Sequence, residues 1–303
     1  MKIVFLDAYT TNPGDLSWKP LAALGELTLY DRTPHNDSAL RIGDADAVFV
    51  NNNDLTRDII EKCPNLRFIG AAATGYDNID VKAAEEGKIA IANIPAYSTD
   101  AVAQHTFAFI LEIANQVSVH NQAVDDGEWY DAADFCFTKA PLTLLAGKTL
   151  GIIGYGNIGK KVAEIARAFG MAVNIYSQDR EAAVKSDFLS LHCPATDENK
   201  GFVNSEFIGG MKDGAVLINT ARGALIVEND LAEALKAGKL SAAGLDVLID
   251  EPPGRPNPLV GIPNCWITPH IAWVPKDVRQ RVIDVCAANL KSFMEGGRLN
   301  RIK

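Results

Sequence analysis

The stretch Leu150-Gly-Ile-Ile-Gly154-Tyr-Gly156-Asn-Ile-Gly159-Lys160-Lys-Val-Ala-Glu-Ile-Ala166 decides the fold. Its first four residues read as a buried strand, and the residues from Lys160 onward carry a helical pattern. Between them the glycines fall in the spacing G-x-G-x-x-G. Gly154 allows a tight turn, Gly156 lets the backbone approach a pyrophosphate, and Gly159 permits close packing of helix on strand. The helix start then offers free N–H groups and the positive end of a dipole to phosphates. Gly147-Lys148-Thr149 resembles the end of a P-loop, but position 142 is Leu and a strand follows rather than precedes it, so it is a turn.

Working outward, short apolar runs alternate with helical segments on both sides. Before the fingerprint, strands are expected at Lys2–Leu6, Leu27–Tyr30, Ala47–Val50, Arg67–Ala71 and Ile89–Asn93. After it they are expected at Ala172–Tyr176, Phe188–His192, Ala215–Asn219, Ala242–Asp246 and Cys265–Thr268. Continuous apolar strands between helices are the signature of parallel sheets covered on both faces. One long helix, Ser98–His120, follows Pro95, and an irregular arm rich in Asp and aromatic residues runs from Val124 to Pro141. The reading is an α/β chain of two Rossmann-like, doubly wound parallel-sheet domains with a cleft between them. Residues 1–97 with 276–303 are expected to form one discontinuous domain, which would be left for the substrate, and residues 98–275 the dinucleotide-binding domain that carries the fingerprint.

Composition narrows the class. The 303 residues carry a net charge of −9 and no basic run, which argues against nucleic acid and against an anionic membrane surface. No apolar stretch is long enough to span a bilayer, and Met1–Asp7 reads as a strand rather than a signal peptide. Cys63, Cys136, Cys193, Cys265 and Cys286 have no metal-ligand spacing, so reduced structural thiols, no metal and a cytoplasmic protein are expected.

The second strand of a dinucleotide unit ordinarily ends in an acidic residue that binds the adenosine ribose. Here it ends Ile175-Tyr176-Ser177, with Asp179 and Arg180 just beyond. Ser177 and Arg180 would tolerate a 2′-phosphate and Asp179 would repel one. NAD and NADP both stay open, with NAD slightly favoured.

Three later residues carry the chemistry. Arg222, Glu251 and His270, spaced 29 and 19 residues apart, each follow a strand end, where ligands bind in open α/β sheets. An imidazole can give and take the proton of a hydroxyl/carbonyl pair. A carboxylate against it would orient the ring and favour its protonated form. The planar fork of Arg222 suits a substrate carboxylate. Among the other histidines, His35 sits in a polar loop, His105 and His120 read as structural, and His192 falls near the expected cofactor.

The strings Ala73-Thr-Gly-Tyr-Asp-Asn-Ile-Asp80, Ser190-Leu-His-Cys-Pro194, Asn219-Thr-Ala-Arg-Gly223, Gly244-Leu-Asp-Val247, Glu251-Pro-Pro and Thr268-Pro-His-Ile-Ala-Trp273 join the fingerprint. Together they resemble the D-2-hydroxyacid dehydrogenase family over nearly the whole chain. Asn93–His105, Asp134–Phe137 and Ala272-Trp273 resemble its glycerate dehydrogenase (hydroxypyruvate reductase) branch. The resemblance implies an NAD(P)-dependent oxidoreductase with His270 as acid/base, Glu251 as its partner and Arg222 as substrate anchor. It implies substrate contacts from the Thr74, Gly75 and Tyr76 backbone. Cofactor contacts are implied from Tyr155, Asn157, Ile158, Ser177, Cys193, Thr220, Ala221 and Asp246, besides Gly154, Gly156 and Gly159. It also implies a homodimer joined through the cofactor domain. Two departures stand out: Ser177 replaces the family's ribose-binding Asp, and only ten residues separate Ser177 from Phe188, where the family has a longer loop, strand and helix. The expected reaction is reversible reduction of hydroxypyruvate to D-glycerate. Reduction of glyoxylate, pyruvate or a bulkier ketoacid, and a non-catalytic NAD(H)-sensing protein like the dehydrogenase-related corepressors, are the alternatives.

Overall fold

The computed structural model describes residues 1–302. It divides into two compact units: Met1–Ser98 with the chain from Trp273 onward, and Thr99–Ala272.

The first unit holds β1 (Lys2–Phe5), α1 (Ala8–Thr11), α2 (Lys19–Ala22), β2 (Glu26–Leu29), α3 (Ser38–Ile42), β3 (Ala47–Val50), α4 (Arg57–Glu61), β4 (Phe68–Ala71), α5 (Val81–Glu86) and β5 (Ala90–Ala92). The strands form a parallel sheet in the order β2-β1-β3-β4-β5, so strand order reverses between β1 and β3. β1, β3, β4 and β5 are almost wholly buried because apolar residues face both layers of helices. β2 starts one residue before the sequence pattern suggests. It is an edge strand with largely exposed side chains, and its place is fixed by the ladder pairing Lys2 with Glu26 rather than by burial.

Asp7, just past β1, is 6% exposed, and its carboxylate accepts the amides of Asn51, Asn52 and Asn53 at 2.5–3.0 Å. Burial pushes its carboxyl up, and the three amides oppose that rise.

The second unit holds α6 (Thr99–Asn115), α7 (Val117–Asp125), β6 (Thr149–Ile153), α8 (Asn157–Ala168), β7 (Ala172–Ile175), α9 (Arg180–Val184), β8 (Phe188–Leu191), α10 (Ser205–Gly210), β9 (Ala215–Asn219), α11 (Glu228–Lys236), β10 (Leu240–Leu245) and β11 (Cys265–Ile267). Its parallel sheet runs β11-β10-β9-β8-β6-β7, with the reversal between β8 and β6 and with β7 at one edge. Alternate side chains feed two cores. Ile152 and Ile218 pack with α6 and α8, while Leu189, Leu217 and Leu245 pack with Leu231 and Leu235 of α11. Gly244 lets α6 lie close: a Cβ there would press on the Phe109 ring.

The single helix expected from Ser98 to His120 is two helices. Gln116 adopts φ 50°, a left-handed conformation that ends α6 and redirects the chain into α7. The arm beyond α7 is irregular and exposes Trp129, Tyr130, Phe135, Leu142 and Leu144.

The final helix, α12 (Lys276–Met294), belongs to the first unit and packs on α1, α2 and β4. Arg279 fixes it there. The residue is 7% exposed, and its guanidinium makes two bonds of 2.8 Å to Asp15 and a third to the Thr11 carbonyl.

Candidate active site

The turn from β6 into α8 is shaped by glycine. Gly154 has φ +96°, and a Cβ there would collide with the Cys193 amide and the His192 carbonyl carbon beyond β8. A Cβ on Gly159 would strike the Gly154 carbonyl oxygen. Gly156 differs: nothing lies within 4 Å of its missing Cβ, and it N-caps α8 without any side chain to occupy the first amides. Two glycines therefore close the turn, and the third leaves open space at a helix start. That space fits a pyrophosphate at the strand-order reversal between β6 and β8.

The other expected cofactor residues lie at the start of α8 or just past the ends of β7, β8, β9 and β10. Tyr155 and Ile158 are half-buried, while Asn157 is exposed on the first turn of α8. Cys193 is half-buried beside Gly154, and burial pushes its thiol up. Ser177 is exposed in the turn after β7. Thr220 and Ala221 follow β9, and Thr220 bonds the Thr106 hydroxyl of α6 at 3.0 Å. His192 bonds Ser190 through Nε2 at 2.8 Å, while its Nδ1 is buried without a partner among the described residues. Burial lowers this imidazole to about 3, which favours its neutral form.

His270 and Glu251 meet. Nδ1 of His270 lies 2.5 Å from Oε2 of Glu251, whose Oε1 accepts the Leu248 amide at 3.0 Å. The pair is partly open to solvent, with side chains 42% and 34% exposed. With Nδ1 engaged, Nε2 is the nitrogen offered to a substrate.

His270 also has φ 54°, unusual for a residue with a side chain. Asp246 imposes this turn. Its carbonyl accepts the His270 amide at 2.8 Å, Oδ1 accepts Ile271 at 2.8 Å and Oδ2 accepts Ala272 at 2.9 Å. Oδ1 also takes the Thr268 hydroxyl at 2.6 Å, and His105 stands 2.9 Å from that hydroxyl and 3.4 Å from the carboxylate. Burial opposes the charge on Asp246, but the bonds from His105, Thr268, Ala272 and Ile271 outweigh it and hold the carboxyl below its usual range. Asp246 thus serves the His270 turn with both oxygens, a part that spacing did not reveal. His105 and Thr268 were likewise missed, because the contact joins residues 163 positions apart.

Arg222 follows β9 on a turn stapled by Asn219, which accepts the Ala221 amide and donates to the Arg222 carbonyl. The half-buried guanidinium donates to the Ala221 carbonyl at 2.8 Å. Gly223 beside it packs so tightly on Leu248 and Ile249 that a Cβ would overlap their backbone. The Arg222 turn is thereby locked to the loop that carries Glu251. Glu228 braces the same loop by accepting from the Ile249 amide and from Asn257. In the first unit, Thr74, Gly75 and Tyr76 follow β4, and the Thr74 hydroxyl donates to the Ile94 carbonyl at 2.7 Å.

This chain is similar to known proteins along its whole length. The hydroxypyruvate reductase of Blautia hydrogenotrophica is 48% identical, with 99% of each chain covered. That alignment spans 318 positions against 303 residues here, so at least 15 positions of the relative have no counterpart in this chain. The glycerate dehydrogenase of Methylorubrum extorquens is 33% identical, with 100% of this chain and 99% of its own covered. Among solved structures, an acyclic imino acid reductase (Bsp5) in complex with NADPH and D-Arg superposes with a TM-score of 0.87 at 29% identity, covering 100% of both chains. Residues 107–272 match the family model described as D-isomer specific 2-hydroxyacid dehydrogenase, NAD binding domain. With that match over more than half its length and relatives aligned end to end, the chain belongs to the D-isomer specific 2-hydroxyacid dehydrogenases.

Proposed function

We propose that this protein is a glycerate dehydrogenase, reducing hydroxypyruvate to D-glycerate reversibly with a nicotinamide dinucleotide. The observation that carries the reading is the 2.5 Å Glu251–His270 pair. A dinucleotide held by its pyrophosphate at the glycine turn would supply the hydride from its nicotinamide. In reduction, protonated His270 donates from Nε2 to the carbonyl oxygen, and in oxidation it takes the hydroxyl proton back. Glu251 balances the imidazolium and fixes the ring. Arg222 holds the substrate carboxylate with its planar fork. The 48% identical relative named hydroxypyruvate reductase supports the choice of substrate.

The test mixes purified protein with hydroxypyruvate, glyoxylate and pyruvate in turn and follows the absorbance of NADH and NADPH. Fastest oxidation with hydroxypyruvate is expected. Preference for another acid would move the assignment within the family, and binding without turnover would favour a sensor.

The apolar residues exposed on α7 and the arm, Val117, Trp129, Tyr130, Phe135, Leu142 and Leu144, support a homodimer joined through the second unit. Sedimentation at working concentration tests it, and a monomer would refute it. No helix among the described residues is long and apolar enough to cross a membrane, and all five cysteines are free thiols. The thiols support a cytoplasmic location, which cell fractionation tests.

A further inference from the structure

We propose that this chain prefers the 2′-phosphorylated dinucleotide, and that Arg180 is the residue that reads the 2′-phosphate. The inference rests on the second unit binding a dinucleotide and carries that reading one step further.

In a sheet of this order, the adenosine ribose lies outside the tip of the strand after the glycine turn's helix, here β7. The chain turns sharply at that tip, where the amides of Gln178 and Asp179 both bond the Ile175 carbonyl at 2.9 Å. Ser177 stands exposed on this turn, so the position that would grip a free 2′-hydroxyl with a carboxylate holds a neutral hydroxyl instead. Asp179, the nearest acid, is engaged elsewhere: its Oδ1 accepts the Ala182 amide at 3.0 Å and caps α9.

β7 reaches β8 through residues 176–187 alone, with α9 the only helix among them. α9 packs on β6 and β7 and brings its side chains to a cavity of about 830 Å³. That cavity opens from the ends of three strands at Ile153, Tyr176 and Cys193, and Phe202 and Phe207 complete an apolar wall suited to a purine. Arg180 lines it with its guanidinium 5.5 Å from the centre of the Tyr176 ring, and Lys185 lines it too. Glu181, next in sequence to Arg180 on α9, and Glu206 of α10 also line the cavity, and Arg180 with Lys185 offsets their charge. A phosphate monoester carries nearly two negative charges and three acceptor oxygens, which an arginine fork matches and an aspartate at position 177 would repel.

The experiment titrates the full-length protein with 2′,5′-ADP and with 5′-AMP by calorimetry, fragments that differ only in the 2′-phosphate. The wild type is expected to bind 2′,5′-ADP at least tenfold tighter. Arg180→Ala should erase most of that difference and leave 5′-AMP affinity unchanged, whereas Ser177→Asp should weaken 2′,5′-ADP alone. Equal affinities, tighter 5′-AMP, or no effect of Arg180→Ala on 2′,5′-ADP would overturn the inference. Turnover of hydroxypyruvate is measured separately. Turnover with NADH and no fragment preference sinks this inference and spares the proposed reaction. Fragment preference without turnover of any ketoacid does the reverse.

Discussion

Asp246 grips His270 from both sides: its carbonyl oxygen takes the His270 amide, and its carboxylate takes the amides of the next two residues. A left-handed residue with a side chain costs about 1–2 kcal/mol, and these bonds offset that cost. Asp246→Ala should therefore lower kcat by at least about tenfold, since a displacement of about 1 Å at a reacting group can cost a hundredfold. Asp246→Asn, which can accept on only one side, should fall between. Wild-type kcat in Asp246→Ala would mean that the turn supports itself.

Glu251→Gln keeps an acceptor for the Leu248 amide but removes the charge opposite His270. A loss of about a hundredfold in kcat with KM nearly unchanged is expected, in the range for a disabled acid/base step. Steady-state kinetics on hydroxypyruvate decide it, and an equal change in KM with kcat retained would reassign Glu251 to binding.

Arg222→Lys retains the positive charge and loses the fork. KM for the ketoacid should rise by about tenfold or more. A KM within twofold of wild type would mean that another group anchors the carboxylate.

The glycines separate folding from binding. Gly154→Ala meets both the φ +96° backbone and the Cys193 and His192 main chain, so lost stability of about 1–3 kcal/mol and lost dinucleotide binding are expected together. Gly156→Ala faces open space and should keep its melting temperature while binding weakens. Thermal unfolding and a cofactor fluorescence titration on both variants read the two effects apart. Parallel behaviour of the variants would refute the distinction.

Asp187 joins the start of β6 to the Lys212 ammonium. Burial works to raise its carboxyl, but Lys212 and the amide and hydroxyl of Thr149 outweigh burial and hold it at about 2. A depressed carboxyl stabilises the fold above its unfolded value of 3.8, and that contribution fades as pH falls toward 2. Asp187→Asn should therefore be less stable than wild type at pH 7, with the gap narrowing at pH 3. Urea unfolding at both pH values measures it, and a constant gap would contradict the linkage.

Much of this was legible from the chain. Continuous apolar runs marked the buried strands because parallel sheets ask nothing else of them, and the glycines after β6 announced their turn. Glu251 and His270 could be named because each follows a strand of one sheet. The break at Gln116 was hidden, since the apolar rhythm of α6 runs straight through it into Val117. The support from His105 and Thr268 was hidden as well, because folding alone brings α6 beneath the His270 turn. The role of Asp246 stayed half visible: its neighbours in sequence pointed to a ligand, while its bonds serve the main chain.

In the first unit, the place where strand order reverses, between β1 and β3, receives the carboxylate of Asp7 against the amides of Asn51, Asn52 and Asn53. A tethered anion of this kind occupies those amides as an intramolecular partner. The two α/β units are consequently not interchangeable receptors. One fills the turn at its strand-order reversal with a carboxylate of its own, while the other leaves its glycine turn free to be filled from outside.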